Sequence, residues 1–245
     1  MEFVKFKKFI LSNNKQMFIN LSEKDDFKEL REYIPGEDIR NIHWFSTAKK
    51  NKPMVIERES RKSQNILLVL LLDKNSLFLD KLPTMLKIYF ILATSAIYQK
   101  QNLEILIVTD TTKLFKVTHL YELNEVENYI NSLDLKKVTL AKFNITQKRY
   151  LVVFIGDFFY KIDFNLANKN VFIFVREKIE ENPKKYLNYT LKDISSNTTF
   201  LTKLNLKYYL SKLKQNDSYY QNFKIIKQKI YPKDNIVTKL KEVLE

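Results

Sequence analysis

The chain contains no cysteine and only two glycines, five prolines and two histidines among its 245 residues. Without cysteine there can be no disulfide, no thiolate catalysis and no cysteine-bound zinc. Two histidines are too few for a histidine-rich metal site. So few glycines also exclude a glycine-rich phosphate-binding loop and leave little material for flexible linkers. These absences remove several large classes of enzyme.

Long hydrophobic segments are missing as well. The longest strongly apolar run without a charge covers residues 88–98, far short of the roughly 20 residues that span a bilayer. Residues 1–13 lack the apolar core and the small-residue cleavage site of a signal peptide. We therefore expect a cytoplasmic protein. Hydrophobic residues make up 45% of the chain, which is enough to build a large buried core.

The charge balance is strongly positive, with a formal net charge of +14. Such a charge favours acidic partners, among them nucleic acid and anionic membrane surfaces. The lysines, however, are scattered along the chain and alternate with asparagine and glutamate, which is typical of a generic lysine-rich surface. Binding to nucleic acid or peripheral contact with a membrane is therefore an alternative and not the leading hypothesis.

Four continuous apolar runs dominate the centre of the chain. Strands that are apolar at every position are buried on both faces, as in a parallel sheet covered by helices. Helical patterns lie between and after these runs, so that strands and helices alternate. The sequence predicts an α/β fold, Rossmann-like, with a mostly parallel sheet flanked by helices. The runs cover residues 65–73, 103–110, 150–157 and 170–177, and the helical patterns cover residues 81–100, 122–133, 204–215 and 235–245.

The first 64 residues have a different pattern, with short strand-like stretches and one short helical stretch at residues 39–50. We expect a small β-rich N-terminal segment, residues 1–64, that leads without a linker into a main domain, residues 65–245.

Aspartates end three of the apolar runs, at Asp73, Asp110 and Asp157. Because ligands of open α/β sheets bind beyond the carboxyl ends of the strands, Asp73 and Asp157 could share one crevice and hold Mg²⁺. Gly156 would allow a close approach of the backbone there. A strand-ending aspartate can equally well cap a turn or helix, and this is the interpretation that we favour for Asp110. A magnesium-dependent hydrolase or phosphotransferase is one hypothesis.

The segment of residues 30–44 collects residues that are scarce elsewhere. It holds the only tryptophan, Trp44, and two of the six arginines, Arg31 and Arg40. Pro35 and Gly36 predict a turn, because proline fixes φ and glycine tolerates positive φ. The arginines have acidic neighbours at positions 32, 37 and 38. Two interpretations remain open: these residues pack the N-terminal segment against the sheet, or they form a surface that binds a partner.

The same segment resembles the bacterial domain of unknown function 58. The resemblance covers roughly residues 20–245 and is most specific in the pattern Arg-x-Tyr, Pro-Gly-x-Asp, Arg and Trp. Glu37, His43 and Lys49 depart from the pattern. The matching residues are Arg31, Tyr33, Pro35, Gly36, Asp38, Arg40, Ile42, Trp44, Thr47 and Ala48.

This resemblance implies a main domain similar to a von Willebrand factor type A domain, with a metal-ion-dependent adhesion site. Asp73 and Asn75 stand at the first two ligand positions of its Asp-x-Ser-x-Ser loop, and Leu77 stands at the third. Asp157 matches the second aspartate, and Thr139 is a candidate for the loop threonine. Since leucine offers no oxygen, the resemblance implies a degenerate site, with Mg²⁺ as the candidate cofactor.

For function, the resemblance implies a non-enzymatic, chaperone-like adaptor. Relatives of this kind are associated with MoxR-type AAA+ ATPases in the assembly or activation of other proteins. The expected partner is therefore a MoxR-type ATPase, and the motif residues between Arg31 and Trp44 are the candidate docking residues.

Overall fold

The structure, a computed structural model, describes residues 2–12, 19–21, 27–58, 64–138, 140, 151–158, 169–181, 203–221 and 226–244. The chain divides into two compact units. The smaller unit is Ser22–Ser63, and the larger unit combines Met1–Leu21 with Gln64–Glu245.

Eight strands and seven α-helices are present in the described ranges. The strands are β1 (Phe27–Glu32), β2 (Met54–Arg58), β3 (Asn65–Leu71), β4 (Asn102–Val108), β5 (Thr112–Val117), β6 (Leu151–Gly156), β7 (Lys169–Val175) and β8 (Ile226–Ile230). The helices are α1 (Glu2–Ser12), α2 (Trp44–Lys50), α3 (Lys81–Tyr98), α4 (Leu123–Ser132), α5 (Lys178–Glu181), α6 (Lys203–Gln221) and α7 (Ile236–Leu244).

The larger unit is built on a six-stranded sheet with the order β5-β4-β3-β6-β7-β8. All neighbouring strands are parallel except β4 and β5. The predicted α/β fold with a mostly parallel sheet is thereby confirmed. The chain runs outward from β3 through β4 to β5 and then returns to β6 on the other side of β3. The carboxyl ends of β3 and β6 flank this reversal of strand order, which is where open α/β sheets place ligands.

Both faces of the sheet are buried, which explains why the central strands are apolar at every position. On β3, Ile66, Leu68 and Leu70 face a core that also holds residues of α1, α3, α4 and α7. Leu67 and Val69 face the opposite core, where Tyr220 of α6 packs among phenylalanines of β6 and β7. No helix in the described ranges has both the length and the apolar character needed to cross a membrane.

Two helices and two strands of the larger unit were not predicted: α1, α5, β5 and β8. Helix α1 packs against α3, so the first residues of the chain belong to the larger unit. The backbone amides of Ile19 and Leu21 donate hydrogen bonds to Ser95 of α3 and to Gln99, which directly follows α3, at 3.1 and 3.0 Å. The stretch of residues 19–21, which has a strand-like pattern, is therefore tied to a helix and joins no strand.

In the smaller unit, β1 and β2 form an antiparallel pair. The helical stretch predicted at residues 39–50 is divided into a 3₁₀ turn, Ile39–Asn41, and helix α2. Two caps explain the division. Asp38 accepts a hydrogen bond from the amide of Arg40 and begins the turn, whereas His43 accepts one from the amide of Ser46 and begins the helix. Ile42 lies between them in a bridge to Val55 of β2.

Candidate functional site

The strand ends that carry Asp73 and Asp157 are neighbours. The parallel register pairs Leu70 with Ile155, which continues to place Leu71 beside Gly156. A Cβ added at Gly156 would lie 2.9 Å from the Cβ of Leu71. The missing side chain therefore allows a close approach between two strands. Asp157 follows immediately and is buried, as is Asp73 on the β3 side.

Asp73 is held by its own loop. Its Oδ1 accepts hydrogen bonds from the amides of Asn75 and Ser76, at 3.0 and 3.1 Å, and its Oδ2 accepts one from the Asn75 side chain, at 3.0 Å. It thereby caps the 3₁₀ helix Lys74–Leu77. Burial first, and then the negative charge of Asp157, raise the pKa of Asp73 to about 6. The two strand-end carboxylates thus lie close enough for the charge of Asp157 to act on Asp73.

A buried lysine stands beside these carboxylates. Lys81 is the first residue of α3, and its side chain is only 1% exposed. Its Nζ donates to Oε1 of Glu180 at 2.8 Å and to Oδ2 of Asp157 at 3.3 Å. Burial acts to lower the pKa of Lys81, but the charges of Asp157 and Glu180 outweigh it and hold the pKa above its usual value. Lys81 is therefore an ammonium ion.

Glu180 comes from the short helix α5, directly after β7. Its second oxygen accepts a hydrogen bond from the amide of Glu177 at 2.8 Å, which fixes the carboxylate toward Lys81. Neither Lys81 nor Glu180 was predicted as a site residue, since a lysine or glutamate at a helix end is usually solvated. One signal was present in the sequence. A lysine in the first helical turn opposes the positive end of the helix dipole and needs a compensating partner.

A second charged cluster continues along the same edge of the sheet. Arg176, directly after β7, is buried, and its Nη2 lies 2.8 Å from Oδ1 of Asp217 on α6. Its Nε donates to the backbone carbonyl of Asp157 at 3.3 Å. Lys229 of β8 contacts Asp217 and Glu181, at 3.3 and 2.8 Å. Buried and half-buried charges at the carboxyl ends of β6, β7 and β8 are thus paired with one another.

The described residues do not fit the ligand set of a metal-ion-dependent adhesion site. The oxygens of Asp73 already accept hydrogen bonds from Asn75 and Ser76. Leu77 has no ligating atom, and the Lys81 ammonium lies against Asp157. Across the part of the chain that the structure describes, no group of three or more acidic or histidine side chains is placed to hold a metal ion. Thr139 lies outside the described residues.

The motif residues of the smaller unit build a rigid turn after β1. Arg31 forms a two-pronged pair with Glu37, with distances of 3.0 Å from Nη1 and 2.5 Å from Nη2. The hydroxyl of Tyr33 donates to the carbonyl of Glu37 at 3.1 Å. Pro35 and Gly36 form the turn between them, and Gly36 has a φ of +103°, which side-chain-bearing residues rarely adopt. The predicted turn is therefore present.

Beyond this turn, Arg40 pairs with Asp38, its Nη2 lying 2.7 Å from Oδ2, and both side chains are solvent-exposed. Trp44 begins α2 and is 69% exposed, and Phe45 is 77% exposed. Ile34 and Ile39 are also exposed large hydrophobic residues. The turn thus holds its backbone with charged and polar side chains and leaves apolar side chains in solvent. Packing of Arg40 and Trp44 against the sheet stays a prediction.

These observations define an α/β protein with a doubly wound, mostly parallel sheet, a charged cluster at its carboxyl edge and a small β-rich unit that carries a dense motif. The model of the family described as "Protein of unknown function DUF58" matches residues 29–119. The predicted resemblance to this family is therefore confirmed over residues 29–119. The matched region contains the whole motif and the Asp73 loop. No curated protein and no solved structure matches the chain.

Proposed function

We propose that the protein is a non-enzymatic adaptor that docks a protein partner, a MoxR-type AAA+ ATPase, through exposed apolar side chains of its smaller unit. The observation that carries this proposal is the group Ile34, Ile39, Trp44 and Phe45, four large hydrophobic residues that are 59% to 77% exposed within twelve positions. We call this group the Trp44 surface. The choice of a MoxR-type ATPase rests on the resemblance to the family.

The composition of the Trp44 surface suits a protein interface. Large exposed apolar side chains that lie close together mark interaction sites more often than ordinary surface. Tryptophan and other aromatic residues are over-represented among the few side chains that carry most of the energy of an interface. Trp44 and Phe45 are adjacent and begin the same helix, so both can be buried by one partner.

The rest of the motif makes this surface ready to bind. The Arg31–Glu37 pair, the Tyr33 hydrogen bond and the His43 cap fix the backbone on both sides of the exposed residues. A binding surface that is already ordered loses less conformational entropy when its partner docks. This accounts for a motif in which Arg31, Tyr33 and Gly36 hold the turn that precedes the exposed Trp44.

The positive charge near the Trp44 surface predicts a second feature of the partner's docking site. Exposed lysines follow the apolar residues at the end of α2, at Lys49 and Lys50, within a chain of net charge +14. We therefore expect the docking site on the ATPase to be an apolar groove with an acidic rim. Complementary charges of this kind raise the rate of association and favour the correct orientation.

Affinity measurement with the purified MoxR-type ATPase tests the proposal. The double variant Trp44→Ala/Phe45→Ala is expected to fold, because both side chains are exposed, and to bind about tenfold to several hundredfold more weakly, as for the loss of interface hot spots. Tyr121→Ala is the matched control, since Tyr121 is a 67% exposed aromatic residue of the larger unit. Unchanged binding of the folded double variant, or an equal loss in the control, would contradict the proposal.

A further inference from the structure

Lys81 carries its positive charge at a position that is unfavourable for a cation. A cation at the first residue of a helix faces the positive end of the helix dipole, and an ammonium withdrawn from water loses its hydration. Lys81 suffers both, since it begins α3 and is buried. What holds it is a pair of carboxylates from two other elements, Asp157 after β6 and Glu180 in α5. The ring of Phe78 adds a cation–π contact, with the Nζ 5.6 Å from its centroid.

The location of the Lys81 ammonium bears directly on whether a metal ion can bind at the carboxyl ends of β3 and β6. Asp157 lies at the reversal of strand order, beside the buried loop of Asp73. A divalent cation bound at Oδ2 of Asp157 would compete with Lys81, which donates to that oxygen. The ammonium and a divalent cation cannot share that oxygen at close range, because their charges repel strongly in a buried place.

We propose that Lys81 is a built-in counter-ion that takes the place of a divalent metal at the β3–β6 crevice, so that the native chain does not bind Mg²⁺ or Mn²⁺ there. The neighbouring loop agrees with this role. The Asp73 carboxylate is satisfied by Asn75 and Ser76, and position 77 is leucine. Any contact that a partner makes at this crevice is then independent of metal. This inference does not rest on the proposed adaptor function.

Two measurements test the inference. Electron paramagnetic resonance of the free Mn²⁺ ion reports metal binding, and thermal unfolding reports stability with and without the metal. Wild-type protein is expected to leave the Mn²⁺ signal unchanged at millimolar metal and to show the same melting temperature with and without Mn²⁺ at matched ionic strength. Lys81→Met removes the ammonium that contacts the buried carboxylates of Asp157 and Glu180. We expect its melting temperature to fall by about 10 °C. We also expect it to bind Mn²⁺ and to recover part of that fall when the metal is present.

Three further variants complete the test. Lys87→Met, a half-buried lysine of the same helix, is the control and is expected to remain indifferent to Mn²⁺. Lys81→Gln keeps one donor for Glu180 and replaces Lys81→Met if the latter does not fold, with the same expected gain of Mn²⁺ binding. Wild-type binding of Mn²⁺ that Asp157→Asn abolishes would overturn the inference. A folded Lys81 variant that gains no Mn²⁺ binding would overturn it too.

Discussion

At the scale of single residues, the carboxyl edge of the sheet is governed by the burial of charge. Asp73, Asp157, Lys81, Glu180 and Arg176 are all less than 10% exposed. Buried charges are tolerated when they are paired and hydrogen-bonded. Asp157, Lys81, Glu180 and Arg176 have partners of opposite charge, and Asp73 accepts hydrogen bonds from its own loop. Removing one member therefore affects the others, and variants at this edge are expected to show coupled effects.

Asp73 provides a prediction about pH. Its pKa is raised from 3.8 to about 6 in the folded protein. Between these two values the folded state binds more protons than the unfolded state, so stability falls as pH rises from about 4 to about 6. Asp73→Asn keeps an oxygen that can cap the loop but cannot ionise. We expect a shallower fall with pH and, at neutral pH, a gain of about 1–3 kcal/mol in the free energy of unfolding.

Urea denaturation across this pH range measures the effect. Asp110→Asn is the control, because Asp110 lies exposed between β4 and β5 and its replacement should change stability by no more than about 0.5 kcal/mol. A variant at Asp73 with the pH dependence of the wild type, or with lower stability at neutral pH, would count against a destabilising charge at this position.

Gly156 provides a prediction about packing. Replacing glycine by alanine usually stabilises a protein, because it restricts the unfolded chain. At Gly156 the new Cβ would lie 2.9 Å from the Cβ of Leu71 on the neighbouring strand, so one strand has to move. We expect Gly156→Ala to lower the free energy of unfolding by about 1–3 kcal/mol and Gly156→Val to lower it further. If Gly156→Ala is as stable as the wild type or more stable in chemical denaturation, the strands have space for the added Cβ and this prediction is wrong.

The sequence predicted two residues of the charged cluster, Asp73 and Asp157, but not Lys81 and Glu180, and the difference has a physical reason. The proximity of Asp73 and Asp157 follows from two strand ends at one edge of a parallel sheet, and the sequence shows both ends. The part played by Lys81 and Glu180 depends on how the start of α3 and the short helix α5 fold over that edge. Such long-range placement leaves no periodic signal in the sequence, apart from the unfavourable location of a lysine at a helix start.

At the scale of elements, strands were predictable in proportion to their burial. Strands β3, β4, β6 and β7 lie inside the sheet, and their apolar runs predict them from the sequence. Strands β5 and β8 are at the two edges, and each contains two lysines, among them Lys116 and Lys227, that interrupt its apolar residues. Edge strands commonly carry lysine, which discourages pairing with other chains. The same charges make an edge strand resemble a loop in the sequence.

The turn after β1 gives a prediction at this scale. Gly36 has a φ of +103° and nothing within 4 Å of an added Cβ. The cost of a side chain there is therefore conformational strain and not a clash. We expect Gly36→Ala to destabilise the β1–β2 pair by about 1–3 kcal/mol, and the amides of this pair to exchange faster with solvent deuterium.

Lys52→Ala is the control for this variant. It removes an ion pair with Glu32 in which both side chains are more than 60% exposed, and such pairs contribute about 0–1 kcal/mol. Its exchange rates should remain near those of the wild type. Unchanged exchange in Gly36→Ala would mean that the turn adopts another conformation without cost, which the positive φ argues against.

At the scale of the whole molecule, the chain places two kinds of surface in two units. The larger unit pairs its charges at the edge of the sheet, whereas the smaller unit leaves aromatic and aliphatic side chains in solvent. The family match covers residues 29–63 of the smaller unit and the strands β3, β4 and β5 of the larger one. Under the proposed function, the smaller unit docks the partner and the larger unit supplies a stable body.

The most direct test of this account uses the fact that Trp44 is the only tryptophan. Chain labelled with 5-fluorotryptophan gives a single ¹⁹F resonance, which reports the surroundings of Trp44 alone. In the free protein that resonance should respond to the solvent, because Trp44 is largely exposed. Addition of unlabelled MoxR-type ATPase is expected to shift or broaden it and to remove its response to solvent. If sedimentation shows that the complex forms while the ¹⁹F resonance of Trp44 stays unchanged, docking through the Trp44 surface is contradicted.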